Sequence, residues 1–216
     1  MTTIIVTSDD LQPATLHLFE AYWKPLKQKH PNLKVTFFVS PNNQEFGQKN
    51  NPAKNIKYMI GDAMKLPFKD ESIDIMICNQ VYEHVPSHKK LIEEIYRVLK
   101  KEGICYFGAG NRYRVMEQHY KLPFLSWFPK NIANFYLKKF RGINYYYEDH
   151  LSYSKLIKLL KPFKIYNYTI NIIKNPLKYY STDMIKEKSL IKKIPINLLK
   201  LIMPLIPSYV FLLRKK

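Results

Sequence analysis

The sequence predicts an α/β protein with a doubly wound, mostly parallel sheet, helices on both faces of that sheet and an antiparallel edge strand. Short runs of β-branched and aromatic residues recur along the chain, and helical or irregular segments separate them. This alternation is typical of parallel sheets. The 216 residues are enough for one such domain, and a hydrophobic content of 46% is sufficient for a packed core.

The first fifty residues predict a strand, a helix and a second strand. Residues 2–8 and 33–40 are β-branched and aromatic runs typical of buried strands. Between them, from about residue 13 to residue 29, apolar side chains recur at helical spacing until Pro31 ends the pattern. This order favours parallel pairing of the two strands through a right-handed crossover.

The next strands are predicted from apolar runs in the middle of the chain. A polar stretch, residues 41–55, comes first and indicates a junction between a segment of residues 1–50 and a domain of residues 51–216. Residues 57–60 and 73–78 follow as the third and fourth predicted strands. Each of these strands ends at a polar side chain.

An amphipathic helix and an aromatic segment come next. Residues 89–100 place their apolar side chains on one helical face, and Gly103 marks the C-terminal end of the helix. Residues 104–108 predict the fifth strand. Residues 109–150 are rich in aromatic side chains, which predicts a cap over a pocket.

The C-terminal part of the chain predicts three further elements. Residues 152–160 indicate a short helix, residues 164–170 a sixth strand and residues 209–213 a last strand at the edge of the sheet. Residues 194–213 are largely apolar, but Lys200 and three prolines interrupt them. Such breaks disfavour a membrane-spanning helix and favour core packing, with contact at a membrane interface left open.

The net charge of +18 is carried mainly by lysine. Abundant Lys, Asn, Ile and Tyr are typical of coding rich in A and T, and Arg, which suits phosphate binding, is scarce. Nucleic acid is therefore a disfavoured partner, whereas peripheral contact with an anionic membrane stays open. No signal peptide opens the chain, and Cys78 and Cys105 lie in apolar runs as small core residues, so a cytoplasmic protein is expected.

Four stretches in the middle of the chain occur in a specific order and spacing. They read GDAMKLPF from residue 61, DESIDI from residue 70, NQVYEHV from residue 79 and EEIYRVLKKEG from residue 93. Together they resemble the class I S-adenosylmethionine-dependent methyltransferases of the type-11 kind, which implies a Rossmann-like fold. Lys101-Glu102 stands where that family usually has Pro-Gly. The rest of the chain, up to the C-terminus, weakly resembles a subgroup of this family that often accompanies surface-glycan biosynthesis.

The resemblance implies a cofactor site at the carboxyl ends of the strands, where open parallel sheets bind ligands. Gly61, Asp62, Ala63 and Asn79 would contact S-adenosylmethionine. The Asp62 carboxylate would accept a hydrogen bond from the adenine amine, and the Ala63 N–H would donate one to a ring nitrogen. A turn-forming role is the alternative for both Asp62 and Asn79.

The resemblance also indicates residues near the reacting groups. Glu83 and His84 are the candidate catalytic residues. Histidine can act as a base near neutral pH, so His84 could take the proton from a hydroxyl or amine acceptor. A structural role at a helix start is the alternative for His84. His119 and Tyr120, in the aromatic segment, are candidate substrate-binding residues. His84 and His88 have metal-ligand spacing, but Pro86 interrupts the pair, so no metal is expected.

The glycine-rich loop of this family is absent. No glycine lies between residues 1 and 46, and Gly108 and Gly110 follow the fifth strand, too late to replace the loop. Those glycines normally let the backbone approach the cofactor closely, so impaired cofactor binding is expected. Residues 1–50 instead resemble the opening of polysaccharide deacetylases, with Asp9-Asp10 as the paired aspartates, unless these two residues simply begin a helix.

Three functions follow from the sequence. The first is S-adenosylmethionine-dependent methyl transfer to a small-molecule, glycan or lipid-linked acceptor. The second is an inactive or rearranged subunit that keeps the fold and only binds a partner. A metal-dependent polysaccharide deacetylase is the least favoured, because no second metal motif follows the paired aspartates.

Overall fold

A seven-stranded sheet and a separate two-stranded sheet make up the β structure. The computed structural model describes residues 3–8, 34–38, 56–182, 184–186 and 188–216. The strands are β1 (Thr3–Ser8), β2 (Lys34–Phe38), β3 (Ile56–Met59), β4 (Ile73–Asn79), β5 (Leu99–Gly110), β6 (Met116–Glu117), β7 (Leu122–Pro123), β8 (Phe163–Asn167) and β9 (Ser208–Lys215). The larger sheet has the order β3-β2-β1-β4-β5-β9-β8, and β6 pairs with β7.

Parallel pairing joins the strands of the N-terminal half of the chain. β1 pairs in parallel with β2 and with β4, and β2 pairs in parallel with β3. The carboxyl ends of these four strands therefore lie at one edge of the sheet. The predicted α/β class is confirmed, while the predicted helix at residues 13–29 and the predicted junction at residues 41–55 lie outside the described residues.

Short helices connect the later strands. The α-helices are α1 (His88–Val98), α2 (Lys130–Arg141), α3 (Tyr153–Leu159), α4 (Thr169–Lys174) and α5 (Ile196–Leu201). Single 3₁₀ turns occur at Tyr82–His84, Leu125–Trp127, Leu190–Lys193 and Met203–Leu205. The predicted aromatic segment thus contains β6, β7, a 3₁₀ turn and α2.

The chain divides into two units. The first contains Met1–Phe107, Leu159–Ile165 and Leu212–Lys216, and the second contains Gly108–Lys158 and Tyr166–Phe211. The prediction of a deacetylase-like segment at residues 1–50 joined to a domain at residues 51–216 stays a prediction.

The core of the first unit forms where α1 packs on the sheet. Leu91, Ile92, Ile95 and Val98 recur at helical spacing, and all four are buried. The Ser87 hydroxyl caps the start of α1 by accepting a hydrogen bond from the Lys90 N–H at 3.4 Å. Both predicted core cysteines, Cys78 and Cys105, are buried, and burial raises the pKa of Cys105 well above its ordinary value. That favours the inert thiol form.

The core of the second unit is rich in aliphatic and aromatic side chains. One cluster contains Leu122, Leu125, Ala133, Leu137 and Tyr146. The burial of Ala133 and Leu137, four residues apart, shows which face of α2 packs inward.

The last strand was expected at the edge of the sheet, and this expectation is wrong. β9 lies between β5 and β8, so β8 is the edge strand. Tyr209, Phe211 and Leu213 are fully buried, and none of residues 209–213 is charged. An uninterrupted apolar run of this kind suits an internal strand, whereas edge strands usually carry charges.

The predicted end of the amphipathic helix also differs from the structure. α1 ends at Val98, and Leu99 is already extended at the start of β5. Gly103 therefore lies within β5 and is not a helix cap. A Cβ at this position would lie 2.8 Å from the Lys100 carbonyl oxygen and 3.2 Å from the Ile73 carbonyl oxygen. Glycine is needed at this position because two backbone segments approach it closely.

The apolar C-terminal stretch folds into short elements. Within residues 194–213 lie α5, the 3₁₀ turn Met203–Leu205 and most of β9. In the part of the chain that the structure describes, no helix has both the length and the apolar character needed to cross a membrane.

Candidate functional site

Polar residues lie just beyond the ends of β3 and β4. Asn79 is the last residue of β4 and is aligned with Ser8 of β1. Gly61 and Asp62 follow β3, which ends at Met59. Since β2 and β1 lie between β3 and β4, three inter-strand steps, roughly 14 Å, separate the two strand tips. The structure brings both predicted cofactor positions to the same edge of the sheet, with the tips of β2 and β1 between them.

Asp62 forms the turn that follows β3. Its Oδ1 accepts a hydrogen bond from the Met64 N–H at 2.8 Å, and its carbonyl oxygen accepts one from the Lys65 N–H at 2.9 Å. The side chain is exposed, and its Oδ2 accepts no hydrogen bond from the described residues. The turn role that the sequence left open is therefore real, and it leaves one carboxylate oxygen for a ligand.

The loop after Asp62 is held to α1 by Arg97. The guanidinium Nη2 donates to the Leu66 carbonyl oxygen at 2.9 Å, and Nη1 donates to the Phe68 carbonyl oxygen at 2.8 Å and to Asp70 at 2.7 Å. Two further hydrogen bonds, at 2.8 and 2.7 Å, join Arg97 to both carboxylate oxygens of Glu94. One side chain thus fixes the loop at three points.

Glu94 completes this attachment. Its Oε2 accepts a hydrogen bond from the Leu66 N–H at 2.8 Å, so Leu66 is bound through both its N–H and its carbonyl. The hydrogen bond with Arg97 outweighs partial burial and holds the pKa of Glu94 below its ordinary value. Glu94 and Arg97 belong to the stretch that begins at residue 93, and no local pattern in that stretch predicts a positioning role for them.

The chain turns sharply after β4. Gln80 adopts a left-handed conformation with φ of 52°, and a 3₁₀ turn follows at Tyr82–His84. Tyr82 and Glu83 are buried, with exposed fractions of 0% and 1%, whereas His84 is half-buried. The Tyr82 ring packs against Phe107 at 6.0 Å between ring centroids. This packing fixes the turn that carries both predicted catalytic residues.

The two predicted substrate-binding residues lie in the second unit and share a partner. Glu117 is fully buried, and its Oε1 lies 2.8 Å from Nδ1 of His119 while its Oε2 accepts the Tyr120 N–H at 2.9 Å. Burial raises the pKa of Glu117, but the hydrogen bonds from His119 and Tyr120 outweigh it and hold the pKa below its ordinary value. Glu117 therefore orients both neighbours.

A buried polar cluster surrounds these residues. The Tyr120 hydroxyl donates to Oε1 of Glu148 at 3.3 Å, and the Tyr146 hydroxyl lies 3.2 Å from Nδ1 of His150. Arg114 is 2% exposed, and its Nε donates to the Asn111 carbonyl oxygen at 3.3 Å. Sequence reasoning missed this cluster, because only folding brings residues 110–120 beside residues 146–150.

Metal-binding groups were also sought in the structure. No group of three or more His, Cys, Asp or Glu side chains suited to a metal ion occurs among the described residues. Asp9 and Asp10, the paired aspartates of the deacetylase resemblance, lie outside those residues.

Known proteins with similar sequences or folds were compared with this chain. Residues 21–107 match the family described as a methyltransferase domain. A demethylmenaquinone methyltransferase from Lactobacillus johnsonii is 43% identical over 53 residues, which are 24% of this chain and 22% of that protein. The uncharacterized protein MJ1123 from Methanocaldococcus jannaschii is 36% identical over 81 residues, 38% of each chain. The chain thus spans about a fifth to two fifths of the length of these relatives.

The fold has counterparts among solved structures. A SAM-dependent methyltransferase from Methanosarcina mazei superposes with a TM-score of 0.56 at 14% identity, covering 99% of this chain and 92% of that one. These comparisons confirm the predicted Rossmann-like fold and the resemblance of residues 21–107 to methyltransferases. Residues 21–107 therefore match a methyltransferase domain in sequence, and the described residues share the fold of solved S-adenosylmethionine-dependent methyltransferases.

Proposed function

We propose that this chain binds S-adenosylmethionine at the carboxyl edge of its parallel sheet and transfers the methyl group to a small-molecule, glycan or lipid-linked acceptor. The observation that carries the proposal is the geometry of Asp62. One of its carboxylate oxygens forms the turn, and the other accepts no hydrogen bond from the described residues. A rigid, exposed carboxylate at a strand tip suits recognition of an adenine amine.

The residues around Asp62 and Asn79 fit a nucleoside cofactor. The Ala63 N–H donates no hydrogen bond within the described residues, so it is available to a ring nitrogen. Asn79 lies at the tip of β4, three strands away from β3, where it would contact the methionine part. The attachment of the loop to Arg97 and Glu94 keeps Asp62 in place before the cofactor arrives.

Methyl transfer is an in-line displacement, in which correct orientation of the two reactants supplies much of the barrier reduction. S-adenosylmethionine, when bound, supplies an electrophilic methyl group on a positively charged sulfur. Glu83 places a buried carboxyl group close to the tip of β4. His84, which is half-buried beside it, would take the proton from a hydroxyl or amine acceptor. Binding of the acceptor by His119 and Tyr120 stays a prediction.

The test of this proposal is calorimetric titration of the full chain with S-adenosylmethionine, comparing Asp62→Asn with Glu93→Gln. Asparagine keeps an oxygen for the Met64 N–H, but it presents an amide NH₂ to the adenine amine, where two donors repel. We expect a rise in Kd of about 10- to 100-fold for Asp62→Asn, because a charged hydrogen bond is lost. Glu93→Gln removes an equal charge from an exposed ion pair with Lys89 and should bind as the unchanged chain does.

Equal affinities of Asp62→Asn and Glu93→Gln would contradict the assignment of Asp62. The turn would then be its only role, and the cofactor would have to be held elsewhere.

A second candidate function is a binding subunit with no catalytic activity. It is favoured by the lack of any glycine between residues 1 and 46, where relatives place the loop that approaches the cofactor. The same titration separates the two candidates, since such a subunit would release no heat with S-adenosylmethionine at millimolar concentration.

A further inference from the structure

One surface of the second unit exposes large apolar side chains. They lie on α2 and on the 3₁₀ turn before it, with exposed fractions from 38% at Trp127 to 69% at Phe135. We name this set the aromatic face, and its members are Phe124, Trp127, Phe128, Ile132, Phe135 and Phe140. Isolated exposed apolar residues are ordinary, but a group of this size usually marks a binding surface.

The pattern of α2 explains why these side chains point outward. Ala133 and Leu137 form the buried face of the helix. Ile132, Phe135 and Lys139 lie on the opposite side, because each residue advances the helix by about 100°. The helix is therefore apolar on both faces, and core packing accounts for only one of them.

Ring contacts join several members of the aromatic face in two groups. Phe124 and Trp127 meet edge to face with centroids 5.3 Å apart. Phe128 contacts Tyr136 at 5.8 Å, and Tyr136 contacts Phe140 at 5.0 Å. These contacts hold exposed rings just before α2 and along it.

Two of these residues are held outward by the backbone. Phe124 is in the left-handed region with φ of 57°, which a bulky residue rarely adopts and which is costly unless it serves a purpose. Trp127 donates its indole N–H to the Arg114 carbonyl oxygen at 2.7 Å. The only donor of this indole is therefore satisfied within the protein, and its apolar rim faces outward.

The charged residues of α2 are all basic. Residues 118–147 contain no Asp or Glu and five basic residues, which are Lys121, Lys130, Lys138, Lys139 and Arg141. Lys138 and Lys139 are exposed on α2 itself, and the Lys139 ammonium lies 5.8 Å from the centroid of the Phe140 ring. Exposed apolar side chains flanked by lysines are typical of helices that lie in the interface of an anionic membrane.

We propose that the aromatic face docks on the surface of an anionic lipid bilayer, with Ile132 and Phe135 entering the boundary of the acyl chains and Lys138 and Lys139 contacting the headgroups. Ile132, an aliphatic side chain that is 47% exposed on the same helix as Lys138 and Lys139, favours lipid over nucleic acid, because bases stack on aromatic rings and not on isoleucine. This inference is independent of the proposed methyl transfer.

The test is co-sedimentation of the full chain with vesicles of 70% phosphatidylcholine and 30% phosphatidylglycerol, and with vesicles of phosphatidylcholine alone. We expect binding to the anionic vesicles, weakening with salt, and at least tenfold weaker binding to the neutral ones. Ile132→Ser combined with Phe135→Ser should weaken anionic binding about tenfold or more. Each lysine near the surface contributes about fivefold, so Lys138→Gln combined with Lys139→Gln should also lower binding at least tenfold.

Each double variant has a matched control in the same unit. Leu177→Ser combined with Leu190→Ser removes apolar side chains that are 67% and 73% exposed. Lys155→Gln combined with Lys158→Gln removes two exposed charges from α3. Because the residues changed in all four variants are exposed, we expect each variant to unfold cooperatively near the temperature of the unchanged chain.

The proposal would be supported if both controls keep vesicle binding while the apolar double variant and the lysine double variant of α2 both lose it. Equal binding by the variants and their controls would overturn it. So would tighter binding to a single-stranded oligonucleotide than to the anionic vesicles. A dimer that the Ile132→Ser and Phe135→Ser variant dissociates would likewise overturn it, because a second copy would then be the partner.

Discussion

Asp62 shows how one side chain serves a turn and still offers a ligand-binding oxygen. Its Oδ1 accepts the Met64 N–H at 2.8 Å, which fixes the carboxylate plane relative to the strand tip. A carboxylate has four lone-pair positions, so this bond leaves most of its accepting capacity unused. The two roles assigned to Asp62 from the sequence are therefore compatible.

Glu117 offers a prediction at the same scale. Glu117→Gln should lower the free energy of unfolding at pH 7 by about 1–3 kcal/mol, because its carboxylate is fully buried and binds both His119 and the Tyr120 N–H. Urea unfolding measures this difference, and Glu93→Gln, at an exposed position, should change it little.

The effect of Glu117→Gln should depend on pH in a defined direction. The pKa of Glu117 is lower in the folded chain than in the unfolded one, so its contribution is present above the unfolded value of about 4.3 and is lost as the pH falls through the folded pKa. The stabilities of the unchanged chain and the variant should therefore converge below about pH 4. A difference that grows with acidity would contradict this account.

At the scale of elements, the loop after β3 depends on α1. Arg97 donates five hydrogen bonds, which reach Leu66, Phe68, Asp70 and Glu94. The rigid planar fork of arginine suits this arrangement, and lysine cannot reproduce it. The sequence motif that begins at residue 93 thus has a structural role, because its Arg97 holds the loop that carries Asp62.

Arg97→Met should therefore affect both stability and cofactor binding. We expect a loss of about 2–4 kcal/mol in the free energy of unfolding, because the carbonyl oxygens of Leu66 and Phe68 lose their donor and Glu94 loses its partner. The Kd for S-adenosylmethionine should rise as the loop loosens. Lys89→Met, at an 82% exposed position of the same helix, is the control for both measurements. Unchanged stability would show that the loop is held by other contacts.

At the scale of the whole molecule, the position of β9 matters most. An internal strand pairs on both sides, so its removal leaves β8 unpaired, opens one side of β5 and exposes the core beneath it. Lys215 adds to this, because its buried ammonium donates to the Leu99 carbonyl oxygen at 2.7 Å and to Glu71 at 3.1 Å. The last strand is therefore expected to be essential to the sheet.

Deletion of residues 208–216 should abolish cooperative unfolding and cause aggregation. Circular dichroism during heating, with size-exclusion chromatography, would measure this. Deletion of Lys216 alone, an exposed residue, should leave the melting temperature almost unchanged. If the chain without β9 were soluble and unfolded cooperatively, β9 would contribute little to the stability of the fold.

The fold was largely predictable from local patterns. The strands of the large sheet and α1 lie within a few residues of their predicted bounds, because burial on a sheet or on one helical face leaves a periodic signal in the sequence. The end of α1 was predicted wrongly, because Leu99 and Lys100 continue the helical pattern of the sequence although they already belong to β5. The close backbone approach at Gly103, which explains the glycine, appears only in the folded chain.

The amino-acid sequence by itself determined the class of fold, the family resemblance and the candidate residues from Gly61 to His84, because each depends on neighbours a few positions apart. Tertiary structure decided that β9 is internal, that Arg97 and Glu94 hold the loop of Asp62 and that Glu117 orients His119. These contacts join residues through space after the sheet has formed, as when Lys215 meets Leu99 across 116 positions. No local pattern carries such information, because the pairing is selected by the burial of the whole sheet.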